Sequence, residues 1–235
     1  MLDEDGAELP GVPIPRAALW SFFEDLAEAA CSMAYGCNPL DGNSVHEHWQ
    51  PIIHRDLKPE NVFLALPVKD IPVLRLGDFG IAVPEKYEAL SNPMGMLGAG
   101  TKGWRAPEQA LSSGGIEPIF PLSSATNVWS IGRIMLALVE LYPRNPPEID
   151  YSQPQKGRVE RSPKEDELRE FYGTKLLDLI DMCIESRADY RITAEDLLEQ
   201  VRKYRKAALP HPGDNVELEY AGDYCRAEGC AVLDG

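Results

Sequence analysis

Residues 54–61 read His-Arg-Asp-Leu-Lys-Pro-Glu-Asn, and this stretch decides the fold. It sets a carboxylate at Asp56, an ammonium at Lys58 and an amide at Asn61 within one short loop. Downstream the chain reads Asp78-Phe79-Gly80 and then Ala106-Pro107-Glu108. A carboxylate, a cation and an amide, followed by a second carboxylate before a turn-forming glycine, are the groups that phosphoryl transfer from a metal-bound nucleotide requires. Either triplet alone would be a weak signal. The eight-residue stretch followed in order by both triplets and by the late arginine Arg191 is a strong one.

On these motifs the chain resembles the large, C-terminal lobe of eukaryotic protein kinases, over roughly residues 15–205, and Lys58 resembles the lysine of the Ser/Thr-specific kind. The resemblance implies a mainly α fold with a few short β-strands. It also implies transfer of the γ-phosphate of ATP, held with Mg²⁺, to a protein Ser/Thr hydroxyl. Asp56 would accept the proton of the attacking hydroxyl or orient it, and Lys58 would place positive charge beside the transferring group. Asn61 and Asp78 match the family's metal positions and offer oxygen ligands suited to Mg²⁺. Phe63 falls at the strand position that floors the adenine, so Lys58, Asn61, Phe63 and Asp78 together make the nucleotide site. His54 and Phe79 fall at positions that stack to link the two lobes, although plain core packing explains both equally well.

Arg55, just before Asp56, marks kinases whose activation segment is ordered by phosphorylation through arginine–phosphate pairing. Ser91 and Thr101 are the aliphatic hydroxyls between Asp78 and Glu108. Thr101, in Gly-Thr-Lys-Gly-Trp-Arg-Ala-Pro-Glu, resembles the threonine that contacts the catalytic aspartate and lysine. That leaves Ser91 as the expected phosphorylation site, with Tyr87 as a further candidate. Glu108 and Arg191 match a buried ion pair tying the activation segment to the late helices. One position departs from the family: a helix that usually opens Asp-Val-Trp-Ser reads Asn127-Val-Trp-Ser here. The family's aspartate accepts two catalytic-loop N–H groups, whereas an amide has only one oxygen to accept with, so the catalytic loop is expected to be held more loosely. Trp104, where the family often has tyrosine, is a milder change.

Before Pro15 there is no Gly-x-Gly-x-x-Gly loop and no Val-Ala-x-Lys strand, so residues 1–14 read as a disordered remnant and the small lobe as missing. A second reading stands beside the kinase one: a catalytically inactive kinase-like lobe that serves as a protein-binding module or is a truncated remnant. A third is a gene model cut short, with the small lobe encoded just upstream.

The 235 residues suffice for one good core, and 44% hydrophobic with 26% charged content is ordinary for a globular domain. A formal charge of −15 disfavours nucleic acid and anionic membrane as partners. The expected partners are therefore a protein substrate and ATP, with the oligomeric state left open. The five cysteines at 31, 37, 183, 225 and 230 contain no Cys-x-x-Cys pair, which points away from a disulfide framework or zinc ribbon and towards a reducing compartment, cytoplasmic or nuclear. The start Asp3-Glu4-Asp5 is unlike a signal peptide.

Outward from the motifs, Leu19, Phe22, Phe23, Leu26, Ala30 and Met33 recur at helical spacing between Pro15 and Gly36. Cys37, His46 and His48 follow in a turn-rich connection whose spacing fits no standard metal pattern and reads as a solvated loop. Residues 62–64 and 73–76 read as two small strands, and residues 128–141 as a helix apolar on nearly every face. Residues 143–167, rich in proline and charge, read as a surface excursion. Leu176, Leu177, Ile180, Cys183 and Ile184 mark another helix, and Thr193 caps a last one. After Pro210 six acidic residues stand against one arginine, so residues 206–235 are expected to form a disordered tail.

Overall fold

The computed structural model describes residues 13–42, 48–65, 72–85, 98–109, 121–141 and 165–208. Expectations for residues 1–12, His46, Tyr87, Ser91 and residues 209–235 lie outside the described residues. Among those described the fold is mainly α: helices α1 (Arg16–Tyr35), α2 (Ser124–Glu140), α3 (Glu165–Tyr172), α4 (Thr174–Cys183) and α5 (Ala194–Ala208). Two antiparallel pairs of short strands accompany them, β1 (Ile52–Ile53) with β4 (Val83–Pro84) and β2 (Val62–Ala65) with β3 (Val73–Leu76).

The α1 helix is preceded by Pro15, whose fixed φ suits the position before a first turn, and ends where Gly36 enters the left-handed region at φ 74°. Glycine is required there twice over. A Cβ on Gly36 would also lie 2.6 Å from the Trp49 ring, whose Nε1 donates to the Met33 carbonyl at 3.1 Å. One aromatic ring thus covers the helix end and satisfies one of its orphan carbonyls.

Helix α2 is the centre of the core, buried from Thr126 to Ala137 without a break. It starts earlier than the apolar run alone suggests, because Glu85 accepts both Ser124 N–H and its hydroxyl at 2.8 Å and so satisfies the first turn. Gly132 lets α4 approach: a Cβ there would sit 2.5 Å from the Cys183 Cβ. Cys183 is fully buried, and burial pushes its thiol well above the ordinary range, so it serves as a small apolar residue.

Helix α3 takes in the end of the segment read as a surface excursion; Asp166 and Glu167 are exposed, in keeping with that reading, although the last three residues of the segment are helical. Periodicity fails there because the helix is held by charge. Arg169 donates to Glu165, Asp178 and Asp181 at 2.8–2.9 Å, tying α3 to α4, and Glu165, Asp166 and Glu167 sit in the first turn where the helix dipole favours anions. Helix α5 packs along α1 and runs to Ala208, which corrects the disordered-tail reading for residues 206–208. Its Arg202 reaches Glu24, Glu28 and Asp41 at 2.6–3.2 Å, and Arg205 pairs with Glu24. Among the described residues no helix is long and apolar enough to cross a membrane.

This frame positions the loop motifs. Strand β1 runs into residues 54–58, β2 starts directly after Asn61, and β3 ends directly before Gly77 and Asp78. Pairing of Val62 with Leu76, continued by the Gly77 N–H to Asn61 carbonyl bond at 3.0 Å, sets Asn61 and Asp78 at the same end of one hairpin.

Candidate active site

The loop after β1 is fixed from both ends of the His54 ring. Asp56 N–H donates to His54 Nδ1 at 3.3 Å, which places the ring proton on Nε2, where it bonds the Gly77 carbonyl at 2.9 Å. The same ring packs against Phe79 with centroids 4.6 Å apart. His54 is fully buried, so the two motifs 54–61 and 78–80 are locked together through it. Arg55 and Asp78, on either side, adopt left-handed backbone at φ 68° and φ 59°. A non-glycine residue there costs on the order of 1–3 kcal/mol and persists only where its surroundings hold it.

Asp56 is presented with its two carboxylate oxygens in different states. Oδ1 accepts the Thr101 N–H at 2.7 Å and the Thr101 hydroxyl at 2.8 Å. Among the described residues Oδ2 has only longer neighbours, Lys58 Nζ and Asn61 Nδ2, each at 3.5 Å. Lys58 Nζ is itself held by Thr101 Oγ1 at 2.8 Å. Asn61 Nδ2 donates to the Asp56 carbonyl at 2.8 Å. Asp56, Lys58, Asn61 and Thr101 therefore form one connected group in which Oδ2 retains acceptor capacity.

The Asn61 amide nitrogen is turned to Asp56, and Asn61 shares one end of the hairpin with the exposed Asp78. An amide oxygen and a carboxylate at one hairpin end are hard ligands of the kind that hold Mg²⁺ alongside phosphate and water. The residues present fit that ion. No cluster of three or more His, Cys, Asp or Glu side chains able to hold a metal occurs among the described residues.

Asn127 corrects the expectation of a looser catalytic loop. Its Oδ1 accepts the His54 N–H at 2.9 Å and its Nδ2 donates to the Ile52 carbonyl at 2.7 Å. A backbone N–H can only donate and a carbonyl can only accept, so this pair of partners demands an amide in one orientation. The side chain is 2% exposed and uses both of its ends. The loop is gripped across three residues, with the carbonyl of Ile52 as the second partner in place of a second N–H.

Glu108 and Arg191 form a bidentate pair at 2.7 and 3.1 Å. Thr126 Oγ1 also donates to Glu108 at 2.9 Å, while Arg191 donates to the Ala125 and Glu185 carbonyls at 2.7 and 2.9 Å. Both charged groups are buried and nearly every donor and acceptor is used, which is what makes such burial tolerable. Arg55 Nε donates to the Ile81 carbonyl at 2.6 Å, and burial holds its guanidinium below the ordinary range. Phe63 lies 55% exposed over Gly77, with Leu64, Phe79 and Ile81 also exposed. Trp104 is buried, its carbonyl 3.4 Å from Ser130 Oγ.

Three participants were not singled out in the sequence. Gly100, at φ 92°, lies so close to the loop that a Cβ would stand 2.2 Å from the Arg55 carbonyl oxygen. Arg133 is buried in α2 and donates to the Gly103 carbonyl at 3.2 and 3.3 Å, a cation in a helix whose neighbours read as continuously apolar. Gln109 is buried after Glu108. Glycine before a motif threonine and a cation inside an apolar run were visible signals for the first two. Nothing in the string distinguishes Gln109.

The family model described as protein kinase domain matches residues 43–201, more than half of the chain. The chain is similar to the calcium/calmodulin-dependent protein kinase type II alpha chain of Drosophila melanogaster, 29% identical over 180 residues, which cover 73% of this chain and 31% of that protein. It is 33% identical over 144 residues to the calcium/calmodulin-dependent protein kinase type 1 of Macrobrachium nipponense, covering 60% of this chain and 38% of the relative. To the cyclin-dependent kinase E-1 of Arabidopsis thaliana it is 34% identical over 102 residues, covering 43% and 20%. The matched stretch thus spans well under half the length of each of these relatives.

Proposed function

The chain belongs to the protein kinase family, and from that premise we propose that it carries the large-lobe half of a Ser/Thr protein kinase site, over residues 15–205. The observation that carries this reading is the state of the Asp56 carboxylate. Thr101 saturates Oδ1 and anchors Lys58, leaving Oδ2 to meet a substrate hydroxyl. Asp56 Oδ2 would take the hydroxyl proton as the oxygen attacks. Lys58, held beside it, offsets the negative charge that grows on the transferred group. Asn61 and Asp78 would hold Mg²⁺, and Phe63 would lie under the adenine. Bound Mg·ATP supplies the phosphoryl group itself and the cation charge that neutralises it.

Lys58, which resembles the lysine of the Ser/Thr-specific kind and is held by Thr101 at 2.8 Å, supports a Ser/Thr rather than a tyrosine acceptor. In kinases a glycine-rich loop and a lysine–glutamate pair also align the phosphates, and no counterpart precedes Pro15 in these 235 residues. Positioning supplies most of the rate in this chemistry, so the 235-residue chain by itself is expected to turn over slowly.

Two measurements test the reading. Mg·ATP, but not ATP with a chelator, should raise the melting temperature, and Asp78→Ala should abolish the rise. With peptides carrying Ser, Thr or Tyr as sole acceptor, label from γ-labelled ATP should enter Ser and Thr. Absence of both the melting shift and the transfer would instead support a kinase-like lobe that binds protein without catalysis. Label entering tyrosine alone would overturn the acceptor assignment.

A further inference from the structure

Gln109 stands where residues 98–109 meet the loop at Arg55. Its Nε2 donates to the Arg55 carbonyl at 2.8 Å, and its Oε1 accepts the Ala106 N–H at 3.0 Å. Its backbone carbonyl accepts the Gly98 N–H at 2.8 Å. It is 2% exposed, and 54 residues separate it from Arg55. The Arg55 carbonyl is thus clamped from two directions by one stretch of chain: by the Gln109 amide, and by the backbone of Gly100, which no Cβ could replace. That carbonyl belongs to the peptide plane joining Arg55 to Asp56. With Arg55 at φ 68°, a conformation that needs external support, the orientation of the plane decides where the Asp56 side chain points. On the other side of the same stretch, Thr101 fixes Asp56 Oδ1.

We propose that Gln109 is a positioning residue for Asp56: it makes the catalytic loop's geometry conditional on the order of residues 98–109, so that displacing this segment releases the Arg55 carbonyl and swings Asp56 out of place. The coupling needs no charge and no bound group. It runs through one hydrogen bond whose loss leaves a carbonyl without its buried amide partner, the more costly way to lose a bond. The catalytic consequence rests on the phosphotransfer reading above, but the coupling itself does not.

Two substitutions test the bond. Gln109→Met keeps the volume and removes both side-chain contacts without adding charge, while Gln109→Glu keeps the acceptor for Ala106 N–H, removes the donor to Arg55 and adds a buried carboxylate. Amide exchange is read at Asp56 and at Thr101, whose N–H ends on Asp56, against the core amides of α4. The expected result for both variants is exchange faster by roughly tenfold or more at Asp56 and Thr101 with α4 unchanged, in line with losing one buried bond. In any transfer assay the same variants should lower kcat with KM for Mg·ATP unchanged. Unchanged exchange at Asp56 and Thr101, or equal acceleration throughout α4, would overturn the proposal. If one variant does not fold the other decides, and loss of folding in both would show the role to be structural. Altered exchange in a chain that transfers no phosphate would leave the coupling standing and remove the kinase reading instead.

Discussion

Asn127→Asp exchanges an amide nitrogen for an oxygen at a site where the neighbour is itself an oxygen. The Ile52 carbonyl, now 2.7 Å from Nδ2, would face a carboxylate at the distance of a hydrogen bond with no proton between them. The other oxygen would still accept the His54 N–H, now 2.9 Å away, and that bond would gain from the charge. A charge-assisted bond adds about 1 kcal/mol over a neutral one. Against it stand a carbonyl without its donor, costing about 1–3 kcal/mol, and the desolvation of an unpaired carboxylate at a position that is 2% exposed, worth several kcal/mol more. The expected net loss at neutral pH is about 3–5 kcal/mol, which for a domain of this size lowers Tm by on the order of 5–20 °C. The introduced carboxyl, once protonated, could donate to the Ile52 carbonyl again, so the folded state should hold that proton above the ordinary aspartate range. With the folded pKa raised, the native state binds more protons than the unfolded one, and the variant's stability should fall as pH rises from about 4 towards neutrality. Thermal unfolding of both proteins at pH 4.5 and 7.5 measures this. A variant as stable as the parent, or more stable, at pH 7.5 would refute the reasoning and mean that the loop turns a second N–H towards residue 127.

Glu108→Gln should cost about 3–5 kcal/mol in chemical denaturation, because it strands the buried Arg191 guanidinium, and the double variant Glu108→Gln with Arg191→Met should recover part of that loss. Gly132→Ala should lower stability by about 1–3 kcal/mol in a melting experiment, since the added Cβ would sit 2.5 Å from the Cys183 Cβ and 2.8 Å from Ile184 Cγ2, and Cys183→Ala, which keeps its Cβ, should not relieve it in the double variant. Asp25 accepts the Leu74 N–H at 2.8 Å, yet burial, aided by Glu28 and Glu24, raises its carboxyl above the usual range. A carboxyl with a raised folded pKa loses stability as pH rises through that window. Asp25→Asn keeps an acceptor for Leu74, so it should flatten the pH dependence of unfolding just above pH 4 and leave the neutral-pH stability equal or higher.

What the sequence made legible were groups that act through residue type and spacing. The stretch 54–61 and the two triplets single out Asp56, Lys58, Asn61 and Asp78 as candidates, and the apolar periodicity outlines α1, α4 and α5. What it concealed were contacts whose partner is backbone. Asn127 reads as a weakened aspartate until the Ile52 carbonyl is seen beside it, because nothing in a string of residues shows which way a peptide group faces. Gln109 is silent for the same reason. Strands β1 and β4 are too short to display an alternation, and α3 is built on the Arg169 carboxylate cluster rather than on an apolar face, so neither left a periodic trace. The Trp49 ring on Gly36 joins residues on either side of a turn-rich connection, and no local pattern relates them.

The most direct test of the central claim is a single-turnover assay of γ-phosphate transfer to a Ser/Thr acceptor, comparing the chain with Asp56→Asn. The substitution keeps an oxygen for the Thr101 bonds but removes the basic Oδ2. The account predicts slow, Mg²⁺-dependent transfer that falls by about 10²-fold or more in the variant while amide protection at Thr101 persists. Transfer at the same rate in both proteins, or none in the parent even where Mg·ATP is bound, would contradict it.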